Sequence, residues 1–185
     1  MRKISLVVVS VLMVFALAFS LVGCGNADEK AIRDGLTQVY NLQKDPKSDF
    51  WQKEIKKSLK DYESFGINLN DVIDVWAKGF SFKIGTIKVD GNKATAEITV
   101  TCKQLNPAVA AATNRLMSED LYGSGMTDEQ VLKKYNEYII DELSKAKPVT
   151  TVVIIPCIKT EKTWSEADGA TDEYFIPLFG PDLKR

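Results

Sequence analysis

Histidine is absent from the 185 residues of this chain. Without imidazole there is no Ser–His or Cys–His nucleophile pair, and every histidine-containing zinc site is excluded. General acid–base work would fall to carboxylates, Lys or Tyr, each needing a large pKa shift to operate near neutrality. Paired-carboxylate motifs, glycine-rich phosphate loops and clustered cysteines are missing too. No catalytic residue, metal site or cofactor is therefore expected. An excess of one charge is also lacking. Basic side chains number 24 and acidic ones 25, a net charge of −1. Such a chain has no basic footprint, so nucleic acid is not an expected partner. Beyond its first residues the chain has no apolar run long enough to cross a membrane. Val152 to Ile155 is only four residues and reads as a buried strand.

What is present begins at the N-terminus. Met1-Arg2-Lys3 is followed by Ile4 to Ala27 without one charged side chain. A basic start, an apolar core and small residues before a cut site form a secretory signal. The run is also nearly long enough to be an uncleaved membrane helix, and that reading stays open. The end of the run resembles the bacterial lipobox: Leu21-Val22-Gly23-Cys24 places aliphatic and small residues before a cysteine. The resemblance implies a signal peptide over 1–23 and a diacylglyceryl thioether on Cys24. Two acyl chains of the palmitate class give stable anchoring where one is marginal. The expected location is the cell membrane, lipid-anchored, on the extracytoplasmic side. Cleavage leaves 162 residues; losing Arg2 and Lys3 leaves 22 basic against 25 acidic side chains, net −3. That length fits a tether over 24–27 and one domain over 28–185.

Helical spacing of Ile32, Leu36, Val39 and Tyr40 predicts a first helix from Asp28 to about Gln43. Asp49-Phe-Trp-Gln52 reads as a capping box for a second helix with the stripe Trp51, Ile55, Leu59 and Tyr62, ended by Gly66. A third helix is expected from Asp71 to Lys78. The period then changes to two. Phe80, Phe82 and Ile84 alternate with polar residues, and the phase slips at Gly85 to Ile87 and Val89, the sign of a β-bulge. Asp90-Gly91 signals a tight turn. Ala94, Ala96, Ile98, Val100 and Cys102 then alternate with polar residues, completing a hairpin.

Residues 105–148 return to helix as an insert between strands two and three. Asn106-Pro107 reads as a cap with proline at the first helical position. A Gly123–Gly125 break follows. Thr127 to Gln130 is a second capping box, before a helix lined by Val131, Tyr135, Tyr138, Ile139 and Leu143. Val149 to Lys159 reads as a strand in which Pro156 implies an edge or a bulge. A turn near Thr160, a short strand around Trp164 and a C-terminal helix or clasp over Asp172 to Gly180 complete the chain. Two cysteines in an exported protein would suggest a disulfide. Antiparallel pairing of the strands around Gln104 and Val149 sets Cys102 opposite about Thr151. Cys157 then lies about 20 Å away at roughly 3.3 Å per residue. A disulfide needs Cα atoms within about 7 Å, so free buried thiols are expected.

The fold class is therefore α+β: N-terminal helices packed on a curved, cone-like antiparallel sheet with a helical insert. Phe80-Ser-Phe-Lys-Ile-Gly, Ile87-Lys-Val-Asp-Gly-Asn-Lys-Ala-Thr-Ala and Lys162-Thr-Trp164 resemble small secreted bacterial lipoproteins with a nuclear-transport-factor-two-like (cystatin-like) cone. That resemblance implies three helices over a curved sheet and little chemistry, since the family is largely without assigned function.

Trp51, Tyr62, Trp76, Phe80 and Phe82 would line a pocket if the cone is hollow, or form its core if it is filled. Glu97 is either a polar handle or part of a solvated sheet face. Lys53, Lys56, Lys57 and Lys60 would meet anionic headgroups or simply face solvent. Tyr135 and Tyr138 would make a protein-contact surface or pack on the sheet. Three functions remain open. The first is a non-catalytic binding or adaptor module with a protein partner. The second is a carrier or sensor of a small apolar ligand. The third is an acid–base enzyme of the same fold, which requires a buried inward carboxylate with a raised pKa.

Overall fold

The computed structural model describes residues 26–63, 67–119, 125–168 and 170–180. Cys24 and the expected signal peptide lie outside the described residues, as do Gly66, Gly123 and the side chain of Tyr62. Helix α1 spans Asn26–Leu42 with Asp28 and Glu29 in its first turn, where the helix dipole favours negative charge. It begins inside the stretch read as tether. Its apolar stripe Ile32, Leu36, Val39 and Tyr40 is buried as the spacing predicts.

The next segment departs from expectation. Asp49 does not cap a helix: its backbone is itself helical, with φ −58°, and its side chain makes no cap bond. It pairs instead with Lys53 at 3.0 Å. A π-helical turn, Phe50–Ile55, leads into the short helices α2 (Lys56–Ser58) and α3 (Lys60–Glu63). Phe50, Trp51, Ile55 and Leu59 are all buried. The wider turn closed by i→i+5 bonds accommodates the adjacent inward pair Phe50 and Trp51 together with Ile55. Helix α4 (Leu69–Gly79) is capped by the Asn68 side chain, which accepts from Asn70 N at 3.1 Å.

Strands β1 (Ser81–Asp90) and β2 (Lys93–Cys102) form the expected hairpin. Ile84 pairs with Ile98 and Ile87 with Ala96, so Gly85 and Thr86 together oppose Glu97. That extra residue is the predicted bulge, and it keeps Phe82, Ile84, Ile87 and Val89 on one face. Arg33 of α1 donates to the carbonyls of Ile84 and Gly85 at 3.0 and 3.1 Å, satisfying backbone acceptors on this edge strand.

Strand β3 (Val149–Thr160) pairs with β2 without interruption from Cys102–Val149 to Lys93–Ile158. Strand β4 (Thr163–Glu166) pairs with β3, giving an antiparallel sheet of order β1-β2-β3-β4. Pro156 makes no bulge. Its carbonyl accepts from Ala167 N just past the end of β4, so its missing N–H falls on the open edge. Cys102 pairs with Val149 and Cys157 with Ala94. The two thiols are therefore eight strand positions apart, about 26 Å, and both are free and buried.

Helices α5 (Leu105–Ser118) and α6 (Asp128–Lys145) form the insert between β2 and β3. Asn106 is not the cap: the helix starts at Leu105, and Pro107 sits third in a first turn whose N–H groups need no helical partner. Thr127 and Gln130 make the predicted reciprocal capping box. Helix α7 (Ala170–Phe179) closes the chain, its Pro177 carbonyl accepting from the Cys102 thiol at 3.0 Å. Packing of α1 on β1 and β4, α7 on β3 and β2, and α4 on β2 covers one sheet face. The class is α+β.

Candidate functional site

The inward sheet face carries Ala94, Ala96, Ile98, Val100, Cys102, Val153, Ile155 and Cys157, all buried. Of the five aromatics read as pocket lining or core, the four whose side chains are described pack on one another or on neighbouring rings. Trp51 and Trp76 are each 0% exposed and stack with ring centroids 5.7 Å apart. Phe50 meets the edge of Trp51 at 5.1 Å, and Phe179 meets Trp76 at 5.6 Å. The Trp51 indole donates to the Gln43 carbonyl at 2.9 Å, locking the π-helical turn to the end of α1. Phe80 and Phe82 form a second group around Tyr40, at 6.3 and 5.2 Å. Phe82 is half-buried, with the Lys44 ammonium 4.7 Å from its ring centroid. A shallow surface hollow of about 460 Å³ lies elsewhere, against Ala27, Glu29, Lys30 and Arg33 at the start of α1.

The inner face is not wholly apolar. Glu166 pairs with Cys157 across β3–β4 and so shares the inward phase of Trp164. The Tyr174 hydroxyl of α7 donates to its carboxylate. Tyr174 in turn lies 5.3 Å from Tyr40, ring to ring. Burial raises the Glu166 pKa and the Tyr174 hydrogen bond lowers it, with burial the larger cause. Burial and the facing Glu166 carboxylate push both tyrosines above the ordinary phenol range. Desolvation likewise raises the thiols of Cys102 and Cys157 to about 12, which makes them poor nucleophiles at neutral pH. Tyr40 Oη, Gln43 Nε2 and Trp76 Nε1 are buried without a protein hydrogen-bond partner among the described residues. The cluster can hold a proton on Glu166 and order the tail helix.

Glu166 was legible by phase, because Trp164 and Glu166 alternate with Thr163 and Ser165. What hid it was the brevity of the strand. Tyr40 falls on the apolar stripe of α1, and the spacing carries no signal for its hydroxyl.

A second polar node fixes the start of the domain. The Asp28 carboxylate accepts from Lys159 Nζ at 2.6 Å and Trp164 Nε1 at 2.9 Å. Lys159 and then Trp164 hold its pKa below the usual carboxylate value. Lys159 N also donates to Asn92 O at 2.8 Å, which ties the two hairpin turns together.

The outward sheet face has no helix packed on it among the described residues. It presents Thr95, Glu97, Thr99 and Thr101 on β2, and on β3 Val152 and Ile154, which are 58% and 46% exposed. Glu97 therefore belongs to a solvated face beside the bulge. Lys53 and Lys56 bind Asp49, Gln52 and Asn70 at the surface. Tyr135 hydrogen-bonds Thr113 at 2.9 Å and Tyr138 bonds Glu119 at 2.5 Å, so both tyrosines join α6 to α5 rather than to the sheet. Among the described residues no group of acidic or cysteine side chains could hold a metal ion, and no helix is long and apolar enough to cross a membrane.

No family model matches the chain, and no curated protein matches it. The crystal structure of YcdA from Bacillus subtilis, described as a candidate lipoprotein, is similar with a TM-score of 0.48 and 15% sequence identity. The match covers 85% of this chain and 48% of that one, so this chain spans about half the length of the structure it resembles.

Proposed function

We propose that this chain is a lipid-anchored domain on the extracytoplasmic side of the cell membrane, acting as a non-catalytic binding or adaptor module. The observation that carries the reading is the division between sheet faces. Trp51, Trp76, Phe80 and their neighbours fill the inner face with stacked rings, whereas Val152, Ile154 and a row of threonines lie open on the outer one. Recognition then falls to the surface rather than to an enclosed ligand. The lipobox-like Leu21-Val22-Gly23-Cys24 and the resemblance to cone-domain lipoproteins support the anchor and the location.

Intact mass and protease shaving of cells expressing the full chain test this reading. The expected result is a chain starting at Cys24, carrying a diacylglyceryl adduct and cut by external protease; Cys24→Ala should abolish the adduct. A soluble, unprocessed, protected chain would overturn it. A thermal-shift screen of apolar metabolites should leave Tm unchanged, and a reproducible rise would favour the carrier reading instead. One observation favours the acid–base alternative, the inward, desolvated Glu166 bonded to Tyr174. Substrate turnover that disappears in Glu166→Gln would establish it.

A further inference from the structure

The start of α1, together with the turns at Gly91–Asn92 and Glu161–Lys162, defines one end of the sheet. We propose that this end rests on an anionic lipid surface and that the strands stand away from it. The inference rests on the reading that the chain is held in the membrane through its N-terminal residues, and it adds which surface of the domain meets the bilayer.

Reach comes first. Only Gly25 separates Cys24 from Asn26, the first residue of α1. Two residues of extended chain span at most about 7 Å. A membrane attachment at Cys24 therefore holds the first turn of α1 within the headgroup layer, with no long linker to let the domain tumble. An uncleaved apolar segment ending at the same point would bring the same end to the bilayer.

Rigidity comes second. Asp28, in that first turn, is bound to Lys159 and Trp164, and Lys159 N is bonded to Asn92 O. Arg33, one and a half turns on, grips the β1 bulge through Ile84 O and Gly85 O. The start of α1 cannot swing without breaking these contacts, so it carries both hairpin turns with it to the surface.

Charge comes third. Lys88, Lys93 and Lys162 lie at or beside the turns, are exposed, and make no ion pair among the described residues. The acids at this end are Asp90 and Glu161 in the turns and Asp28 and Glu29 on α1; Lys159 and Arg33 neutralise the last two, so three lysines face two acids. A local excess of lysine in a chain of net charge −1 suits a negatively charged surface at a distance within the Debye length, about 10 Å at 0.1 M salt.

The same geometry removes the competing surface. Lys53, Lys56 and Lys57 follow the far end of α1, whose 17 residues span about 26 Å at 1.5 Å each. The Trp51–Gln43 bond fixes that segment there, away from the anchor. The insert α5–α6 joins β2 and β3 at this far end as well.

The test uses the full chain expressed in membranes, extracted and reconstituted into vesicles of phosphatidylcholine with or without phosphatidylglycerol. Cys102 and Cys157 are buried and a lipidated Cys24 has no free thiol, so a fluorophore reports on a cysteine introduced by Asn92→Cys, Lys162→Cys or, at the far end, Lys57→Cys; where the mass shows no lipid, the same three are labelled in a Cys24→Ser background. Lipids bearing a headgroup quencher should quench the first two labels several-fold more than the third on phosphatidylglycerol vesicles. Two turn positions guard against one variant failing to fold. Combining Lys88→Glu, Lys93→Glu and Lys162→Glu should narrow the difference between the ends, as should high salt, leaving the part that the short tether sets. Equal quenching at both ends, or stronger quenching at Lys57→Cys, overturns the proposal. Intact mass of the same preparation reads the lipid on Cys24 separately. A lipidated chain with equal quenching sinks only the orientation, and an unlipidated membrane-held chain with the predicted quenching sinks only the lipid chemistry.

Discussion

The two faces of the one sheet are built from strands with a single alternating pattern, yet they end in opposite conditions. Inward positions of β2 and β3 bury small and branched residues, Ala94, Ala96, Ile98, Val153 and Ile155, beneath helices and tryptophans. Outward positions of the same strands hold threonines, Glu97 and the exposed pair Val152 and Ile154. On β2 the alternation is polar against apolar. On β3 it is apolar on both faces, the pattern of a strand covered twice, although only one cover is present among the described residues. Stability thus resides on one face and the unspent apolar surface on the other.

The largest effect that would sharpen this contrast is at the inner face. Trp76→Ala removes a fully buried ring that stacks on Trp51 and meets Phe179. Such truncations cost about 3–5 kcal/mol. Urea unfolding should show a loss of that size with the slope unchanged. A loss below about 1 kcal/mol would mean the inner face is not the stabilising one.

How much of this was readable in the residues depends on the period involved. Strict alternation from Ala94 to Cys102 and the phase slip at Gly85 are local signals, and both the hairpin and its bulge formed where they lie. So did the capping box at Thr127, because its two bonds join residues three apart. The Asp49 box failed because identical letters can be satisfied another way: Asp49 is itself helical and pairs with Lys53, while Phe50 and Trp51 both turn inward, Phe50 onto Trp51 and Trp51 onto Gln43 and Trp76. Tertiary packing of two adjacent aromatics overrode a local cap. For the same reason the pocket residues were identifiable as a group, but whether they line space or fill it was not. Ring stacking between Trp51 and Trp76 depends on the approach of elements 25 positions apart.

Two polar groups interrupt the inner face, and they respond to pH with opposite sign. Asp28 has a lowered pKa, so its contribution is complete above the ordinary carboxylate value near 3.9 and is lost as pH falls through its folded value. Asp28→Ala should cost about 1 kcal/mol at neutral pH, a charge-assisted bond discounted because both partners are about a third exposed. The deficit should vanish in acid. Glu166 has a raised pKa. Its neutral form suits the folded site, so stability is greatest below the ordinary glutamate value and declines as pH rises through the folded one. Glu166→Gln keeps an acceptor for Tyr174 without the charge. It should melt higher than the natural chain above that window and lose the decline. Parallel Tm–pH curves for the two proteins would remove burial as the controlling influence on Glu166.

The smallest expected effect lies on the outer face, where it is most informative. Val152→Ser with Ile154→Ser replaces two exposed side chains that pair across to Thr99 and Glu97. Serine forfeits some β-propensity and cross-strand contact, worth at most a few tenths of a kcal/mol at each position. Surface changes of this kind usually stay within about 0.5 kcal/mol, so the double variant should unfold almost with the natural chain. A loss of several kcal/mol would mean that the face is covered in solution, by a second copy or by residues beyond those described, and dilution during unfolding would separate these cases, because only self-association depends on concentration. An unchanged Tm leaves Val152 and Ile154 as apolar area that folding does not use, on a face that the docked orientation would hold roughly upright beside the membrane.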